Sequence, residues 1–381
     1  MKKSLKDGVK TKAVPIAPQL HVEEDIDDLD EAQEVVPFNY AITAYGADYP
    51  VDSLVKRIVA KDIIVPRFSW EDGASEIVGF QREYVWPRTK ADRFIESLLL
   101  GLPVPGIFLV KEPSGRFLVL DGHQRLFSLH AYYEGIIHKE EYSLQGVQKR
   151  FEGKTYKSLD VEDRRRLDDS IIHATVIRQE QPTEDQSSVY MIFERLNTGG
   201  INLQPQEIRV ALYHGQFVKV LQRLNDNTSW RKLYGNKSKR LKDMEMILRF
   251  FAFFYHAKKY RSPMKDFLNR YMSSNRDLQQ QKEKDVEEIF VKTSTILSNV
   301  VGQRAFRPVR AINAAAIDSI MTGLARRVAR GVVKNESQVS DKYDELLLNK
   351  AYRDAIDTGT SQEANVEARI RLATEAFAGV K

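Results

Sequence analysis

The sequence predicts an α+β protein: a small mixed sheet with helices over residues 40–215, followed by an all-α helical domain over residues 216–381. Apolar runs of strand length at 107–110 and 117–120, joined across a Pro-Ser-Gly turn, predict a strand pair. Apolar residues at helical spacing precede and follow that pair. Beyond residue 215 only the helical spacing recurs, which favours a separate helical domain.

The composition limits the classes of chemistry. The 381 residues include 58 Lys and Arg, 53 Asp and Glu and no cysteine, for a net charge of +5. Without cysteine there are no disulfides, thiolate nucleophiles or thiolate zinc sites, so a metal must be held by oxygen or imidazole. Mg²⁺ bound with a nucleotide is the natural candidate. No apolar run approaches the roughly 20 residues of a membrane span, and the Lys-rich start lacks a signal-peptide core, so we expect a cytoplasmic protein with no membrane contact.

Residues 1–39 predict a disordered acidic tail. Eight acidic residues lie between Glu23 and Glu34, with few apolar residues to form a core. Such a run is typical of a solvating tail, and it is also compatible with a partner-binding arm or a polyanion mimic. The rest of the chain is more basic than the total charge indicates, which is compatible with a DNA partner.

Two helices and an extended segment are predicted before the strand pair. Residues 52–59 carry an amphipathic helical pattern, and residues 63–65 form an extended segment before Pro66. A second helix has Thr89 as its cap and carries an apolar stripe as far as Gly101.

A Gln-Arg loop lies between these elements. Gln81 and Arg82 can hold a phosphate or a base edge. Tyr84 and Trp86 are either base-stacking rings or ordinary core aromatics. Pro87 ends the loop because its ring stops whatever structure precedes it.

The pentapeptide Asp-Gly-His-Gln-Arg at 121–125 lies at a strand-to-helix junction. Asp121 is a suitable N-cap, and Gly122 permits a tight turn that leaves the first helical N–H groups beside Arg125. Free amides at the positive end of a helix, a guanidinium and a carboxylate together suit a phosphate with its metal. The alternative is a capped helix with a surface arginine.

A second polar block follows a predicted helix at 186–196. Asn197 and Thr198 lie at the end of this helix beside Gly199 and Gly200. They can bond a ribose, a phosphate-bound water or the local backbone. In the helical domain, cations mixed with aromatics favour a DNA patch or a solvated basic loop. Its residues are Trp230, Arg231, Lys232, Lys237, Lys239 and Arg240.

Four ordered blocks of this chain resemble the N-terminal domain of GmrSD-type restriction endonucleases, in the ParB/sulfiredoxin-like superfamily. The blocks are F-Q-R-E-Y-V-W at 80–86, G-L-P-V-P at 101–105, V-L-D-G-H-Q-R-L at 119–126, and F-E-R-L-N-T-G-G at 193–200 with Leu203, Gln206, Glu207, Ile208 and Arg209 after it. The family's pentapeptide is usually D-G-Q-Q-R, so His123 replaces a glutamine here.

The resemblance implies a nucleoside triphosphate held by the turn and the Gln-Arg loop, often with hydrolysis. Arg125 and Arg82 would neutralise phosphate charge, Asp121 would position Mg²⁺ or the attacking water, and Gln124 would orient that water. The candidate residues are Asp121, Gln124 and His123 for catalysis, Gln81, Arg82, Gly122, Arg125, Asn197 and Thr198 for nucleotide binding, and Asp121 for the metal.

The favoured function is an NTP-binding and NTP-hydrolysing component of a bacterial anti-phage restriction system that senses DNA and licenses a nuclease. We expect a stand-alone member without the usual C-terminal nuclease module, served by a partner nuclease chain and able to form an oligomer. One alternative is a non-catalytic ParB-like DNA clamp or regulator. The other is a nuclease acting by itself, with Glu152 in a weak Glu-x-Lys pattern. Sulfiredoxin-type chemistry is excluded by the missing cysteine.

Overall fold

The computed structural model describes residues 41–65, 86–181, 187–196 and 203–381. The predicted acidic tail, Gln81, Arg82, Tyr84, Asn197 and Thr198 lie outside the described residues.

A five-stranded mixed sheet with strand order β1-β7-β3-β4-β2 is the centre of the fold. Its strands are β1 (Ala41–Pro50), β2 (Ile63–Ile64), β3 (Ile107–Lys111), β4 (Phe117–Asp121) and β7 (Ile171–Gln181). The β1–β7 and β3–β4 pairs are antiparallel, whereas β3–β7 and β2–β4 are parallel. A separate two-stranded ribbon joins β5 (Ile136–Ile137) to β6 (Glu140–Glu141).

Four helices cover one face of this sheet. They are α1 (Val51–Val59), α2 (Arg88–Leu99), α3 (His123–Glu134) and α4 (Val161–Asp169). Their apolar stripes form one core cluster with Ile107, Leu109 and Val119 of the sheet. The first three helices therefore pack against the strands through the apolar faces that their amphipathic spacing predicts.

The remaining helices form a second layer and a bundle beyond it. They are α5 (Ser187–Leu196), α6 (Pro205–Leu212), α7 (Gln216–Asn225), α8 (Thr228–Tyr234), α9 (Lys242–His256), α10 (Met264–Ser274), α11 (Glu283–Val300), α12 (Ala314–Val328), α13 (Ser337–Leu348), α14 (Lys350–Asp357) and α15 (Glu363–Ala378). Phe250, Phe251 and Phe253 of α9 are at most 1% exposed, so this aromatic-rich helix is central to the core of the bundle.

The sheet belongs to both cores. Val110, Leu118, Leu120 and Ile177 lie in the same apolar cluster as the helical bundle. Alternate residues of each strand point to opposite faces, so β4 places Val119 in one core and its neighbours in the other. The helical region is thus packed directly on the sheet.

A buried polar cluster reinforces this junction. Arg276 Nη2 donates to Glu112 Oε1 at 3.3 Å, and Arg276 Nε donates to the His214 carbonyl at 2.5 Å. His214 Nε2 lies 3.0 Å from Arg276 Nη2. Burial, and then the Arg276 guanidinium, lower the pKa of His214, so its imidazole is favoured in the neutral form.

The structure confirms the predicted α+β class, with a small mixed sheet and a helical C-terminal region. Two predicted caps are wrong. The N-cap of α2 is Pro87 with no side-chain cap, in place of Thr89, and the N-cap of α3 is Gly122, in place of Asp121. Among the described residues, no helix is long and apolar enough to cross a membrane.

Candidate functional site

The junction between β4 and α3 is fixed by one glycine. Gly122 adopts φ 95°, a left-handed conformation that favours glycine. A Cβ at this position would overlap Ile107 Cγ2 and lie 3.0 Å from Ile107 Cβ. The first bond of the helix runs from Leu126 N–H to the Gly122 carbonyl at 3.0 Å. The amides of the three residues between them therefore have no acceptor within the helix.

Arg125 is held across this turn. Its Nη2 donates to Asp121 Oδ2 at 2.8 Å and to the Gly106 carbonyl at 2.9 Å. The Arg125 side chain is 14% exposed and that of Asp121 is 44% exposed. Asp121 is the last residue of β4 and pairs with this guanidinium, which explains why it does not cap the helix. The buried Arg125 Nε has no hydrogen-bond acceptor within the described ranges.

Gln124 connects the turn to the end of the Gln-Arg loop. Its side chain is 8% exposed, and its Oε1 accepts a long bond from the Trp86 N–H at 3.4 Å. The Trp86 ring is half-buried, packs edge-on against Phe94 at 5.8 Å between centroids, and lies under Lys90.

His123 begins α3 and is half-buried. It adjoins Gly122 on the helix side, so the turn brings together five of the predicted residues: Asp121, Gly122, His123, Gln124 and Arg125.

An Asp–His pair lies at the same end of the sheet. Asp48 and His173 are directly opposite each other on β1 and β7, with Asp48 Oδ1 2.5 Å from His173 Nδ1. The two side chains are 64% and 65% exposed, respectively. Asp48 and His173 are 125 residues apart in the sequence. Strand pairing, and no local pattern, brings the two together.

The donor set at the turn fits a metal that arrives with its ligand. No group of three or more Asp, Glu or His side chains that could hold a metal ion occurs in the part of the chain that the structure describes. Mg²⁺ commonly binds proteins through one or two carboxylates together with substrate phosphates. Asp121, as a single partly exposed carboxylate, suits that arrangement.

A family comparison identifies the part of the chain that contains this site. Residues 67–214 match the model of the GmrSD restriction endonuclease N-terminal domain. The chain contains a GmrSD-type N-terminal domain. No curated protein and no solved structure matches the chain.

The last of the four blocks of this GmrSD-type domain ends in residues that hold the fold together, Glu207 and Arg209. Glu207 Oε2 accepts the Gln204 N–H at 2.6 Å and Arg240 Nη2 at 2.8 Å. Arg209 is fully buried and donates to Glu245 at 3.1 Å. These bonds attach α6 to the helical bundle. The helix before them, α5, packs against β4.

The predicted DNA patch is only partly at the surface. Trp230 is 1% exposed and donates its indole N–H to Asn225 at 3.0 Å, so its ring belongs to the core and cannot stack a base. Arg231 pairs with buried Asp243 at 2.9 Å.

Of the remaining patch residues, Arg240 is paired with Glu207 and Lys237 with Asp226. Lys232, Lys237 and Lys239 are exposed. The role of the patch in binding DNA stays a prediction, with the lysines as its accessible part.

The weak nuclease pattern has a local structural explanation. Glu152 accepts hydrogen bonds from the backbone N–H groups of Gly146 at 3.2 Å and Val147 at 3.1 Å, which fixes the loop over residues 146–152. Its carboxylate is therefore engaged in loop structure.

Two open grooves lie away from the turn, in the helical region. One, of about 650 Å³, is lined by α12, α15 and the segment after α9; the other, of about 620 Å³, lies between α11 and the end of α12. Neither contains a predicted site residue.

Proposed function

We propose that this protein binds and hydrolyses a nucleoside triphosphate as a component of a bacterial restriction system that senses DNA and licenses a nuclease. The observation that carries the proposal is Arg125, anchored by Asp121 and the Gly106 carbonyl over the glycine turn that begins α3. A helix N-terminus with an adjacent guanidinium is an anion site, and the phosphate chain is the anion that family membership favours.

Arg125 has donors to spare for such a ligand. A guanidinium carries five N–H donors. Asp121 and Gly106 use Nη2, while the buried Nε is without an acceptor in the described part of the chain. An unsatisfied buried donor costs about 1–3 kcal/mol. A phosphate oxygen bound at this edge of the guanidinium would remove that cost, which supports binding here.

Each residue of the turn has a role in the proposed reaction. Gly122 lets the backbone approach the phosphates, because any side chain there would fill the turn. Arg125, together with Arg82 of the Gln-Arg loop, neutralises phosphate charge. Gln124, close to Trp86, orients the attacking water, with His123 beside it.

Asp121 is the residue that would hold the metal. The Mg²⁺ that accompanies a nucleoside triphosphate supplies further neutralisation of phosphate charge when bound. Asn197 and Thr198 would contact the ribose or a phosphate-bound water.

DNA sensing and nuclease licensing rest on the family and on surface charge. The matched family is a restriction endonuclease family by its description. The exposed Lys232, Lys237 and Lys239 offer phosphate-binding cations to a DNA backbone. A separate nuclease chain would then perform the cleavage.

The test is a nucleotide-binding screen combined with steady-state phosphate release, with and without DNA. Arg125→Ala and Asp121→Ala should each weaken binding by about tenfold or more, because each removes a charged contact worth at least about 1.4 kcal/mol. Arg116→Ala is the matched control, since it removes an exposed arginine just before the opposite end of β4.

If the protein binds nucleotide but releases no phosphate above the Arg125→Ala background, the result would favour the non-catalytic DNA clamp over the hydrolase. Absence of binding, or equal losses in Arg116→Ala, would refute the site itself. Metal-dependent DNA cutting by the purified chain, abolished in Glu152→Ala, would instead favour a self-sufficient nuclease.

A further inference from the structure

The Asp48–His173 pair lies next to the proposed phosphate site, separated from it by one residue. The Gly106 carbonyl accepts the Arg125 guanidinium at 2.9 Å. The α-carbon of Gly106 packs on His173, because a Cβ there would lie 2.6 Å from the His173 carbonyl oxygen. Arg125 and His173 thus contact the same glycine.

Sheet register gives the distance between the two groups. Ile107 pairs with Ala174, the residue after His173, and Phe108 pairs with Asp121. Phe108 also pairs with Thr175, so His173 and Asp121 are two strand spacings apart across β3 and offset by two residues along the strands, roughly 12 Å between backbones. A nucleotide with its attacking water covers that distance.

The pair has the chemistry of an oriented base. Asp48 Oδ1 accepts the proton of His173 Nδ1, which leaves a lone pair on Nε2. Nε2 lies over Gly46, since a Cβ at that position would be 3.3 Å from both Nε2 and Cε1. A glycine here keeps the face of the ring open, and the imidazole is 65% exposed. An imidazole held by a carboxylate, with its second nitrogen accessible, can take a proton from water.

We propose that His173 is the general base of the hydrolysis and that Asp48 is its positioning residue; this inference rests on the proposed function. The oxygen of a water molecule attacks the γ-phosphorus, and the bond from that phosphorus to the bridging oxygen breaks with its electron pair leaving on the β-phosphate. His173 Nε2 accepts one proton from the water and later releases it to solvent. The products are the nucleoside diphosphate and inorganic phosphate.

The experiment compares kcat, KM and the affinity for a non-hydrolysable nucleotide analogue in the full-length chain. His173→Asn should lower kcat by about 100-fold, with KM and the analogue affinity within about threefold of the unchanged protein, because the base acts only on the reacting water. His138→Asn is the matched control, since His138 is an exposed histidine on the β5–β6 ribbon in a backbone conformation that asparagine tolerates.

Asp48→Asn should lower kcat by about tenfold or more. The double variant with His173→Asn should be no slower than His173→Asn alone, because Asp48 acts through the imidazole. If the Asp48–His173 pair were purely structural, the losses of kcat in the two single variants would add in the double variant, or the affinity for the analogue would be weakened. Gly46→Ala should also lower kcat, because its methyl group would shield Nε2.

A kcat within about threefold of the unchanged protein in His173→Asn would overturn the inference. So would a loss of analogue affinity in place of kcat, or an equal loss of kcat in His138→Asn. Analogue binding without any phosphate release by the unchanged protein overturns both this inference and the proposed hydrolysis. Intact hydrolysis in His173→Asn overturns the inference alone.

Discussion

Replacement of Gly122 by alanine tests whether the turn is built for a ligand that approaches the backbone. The left-handed φ of 95° costs an L-residue roughly 1–2 kcal/mol. The new Cβ would also overlap Ile107, which is 1% exposed in a packed core, and lie 3.4 Å from Arg125 Nη2. Overpacking of this kind costs about 1–3 kcal/mol. The expected loss of stability in Gly122→Ala is therefore about 2–5 kcal/mol.

The matched control is at the other end of the same helix. Gly135 has φ 82°, and a Cβ there would meet no heavy atom within 4 Å among the described residues. Gly135→Ala should therefore show only the conformational cost of about 1–2 kcal/mol. Urea unfolding of both variants, followed by the same probe, measures the difference between them, which should be about 1–3 kcal/mol.

Ile107→Ala provides a second check, because it removes the methyl group that the new Cβ would overlap. In the double variant the two losses should be less than additive by about 1 kcal/mol or more. Gly122→Ala should also weaken nucleotide binding by about tenfold or more, since the methyl group occupies the turn beside Arg125. Equal destabilisation by Gly122→Ala and Gly135→Ala, or unchanged nucleotide affinity, would refute this account of the turn.

Two further predictions concern the helical region. The pKa of His214 is lowered from 6.5 by burial and by Arg276, so its stability contribution is present above pH 6.5 and is lost as the pH falls below that value. When the pH falls from about 7.5 to 5.5, the free energy of unfolding should decrease by up to about 1.4 kcal/mol more in the unchanged protein than in His214→Gln. An equal pH dependence of the two proteins would contradict this. Glu245→Gln should destabilise the protein by about 3–5 kcal/mol, because Arg209 is left buried without its charged partner at 3.1 Å. Glu288→Gln, on the exposed surface of α11, should leave stability unchanged within error in the same thermal or urea assay.

Local periodicity was sufficient to predict the elements that carry the site. The strand pair β3–β4, the turn and α3 follow from an apolar run, a glycine and a helical spacing that are contiguous in the chain. Strand β1 was not predicted. It lies at the sheet edge with most residues exposed or half-buried, so its sequence lacks the regular apolar alternation of a half-buried strand.

Ion pairing explains two places where the structure differs from the sequence predictions. An Asp before a helix is usually a cap, but here the arginine four residues later competes for its carboxylate, and a left-handed glycine takes the cap position. The DNA patch was predicted from its cations and aromatics, whereas in the structure several of these cations pair with acids: Asp226 and Asp243 flank the patch in the sequence, and Glu207 is 33 residues before Arg240. An acidic partner that the fold brings from a distant position cannot be predicted from the composition of a short stretch of sequence.

The position of β4 explains why the proposed site can be rigid without a metal cage or a disulfide. Asp121 ends a strand whose Leu118 and Leu120 are packed in the core of the helical bundle, while Val119 is packed in the core on the opposite face. Packed interiors have few voids and do not deform continuously, so a strand held in two of them cannot shift without repacking both. Arg125 is then fixed by two bonds to backbone and side chain on that immobile frame. Phosphoryl transfer relies on positioning and charge neutralisation, and for the proposed reaction a guanidinium held on a strand shared by two cores would provide both before the ligand arrives.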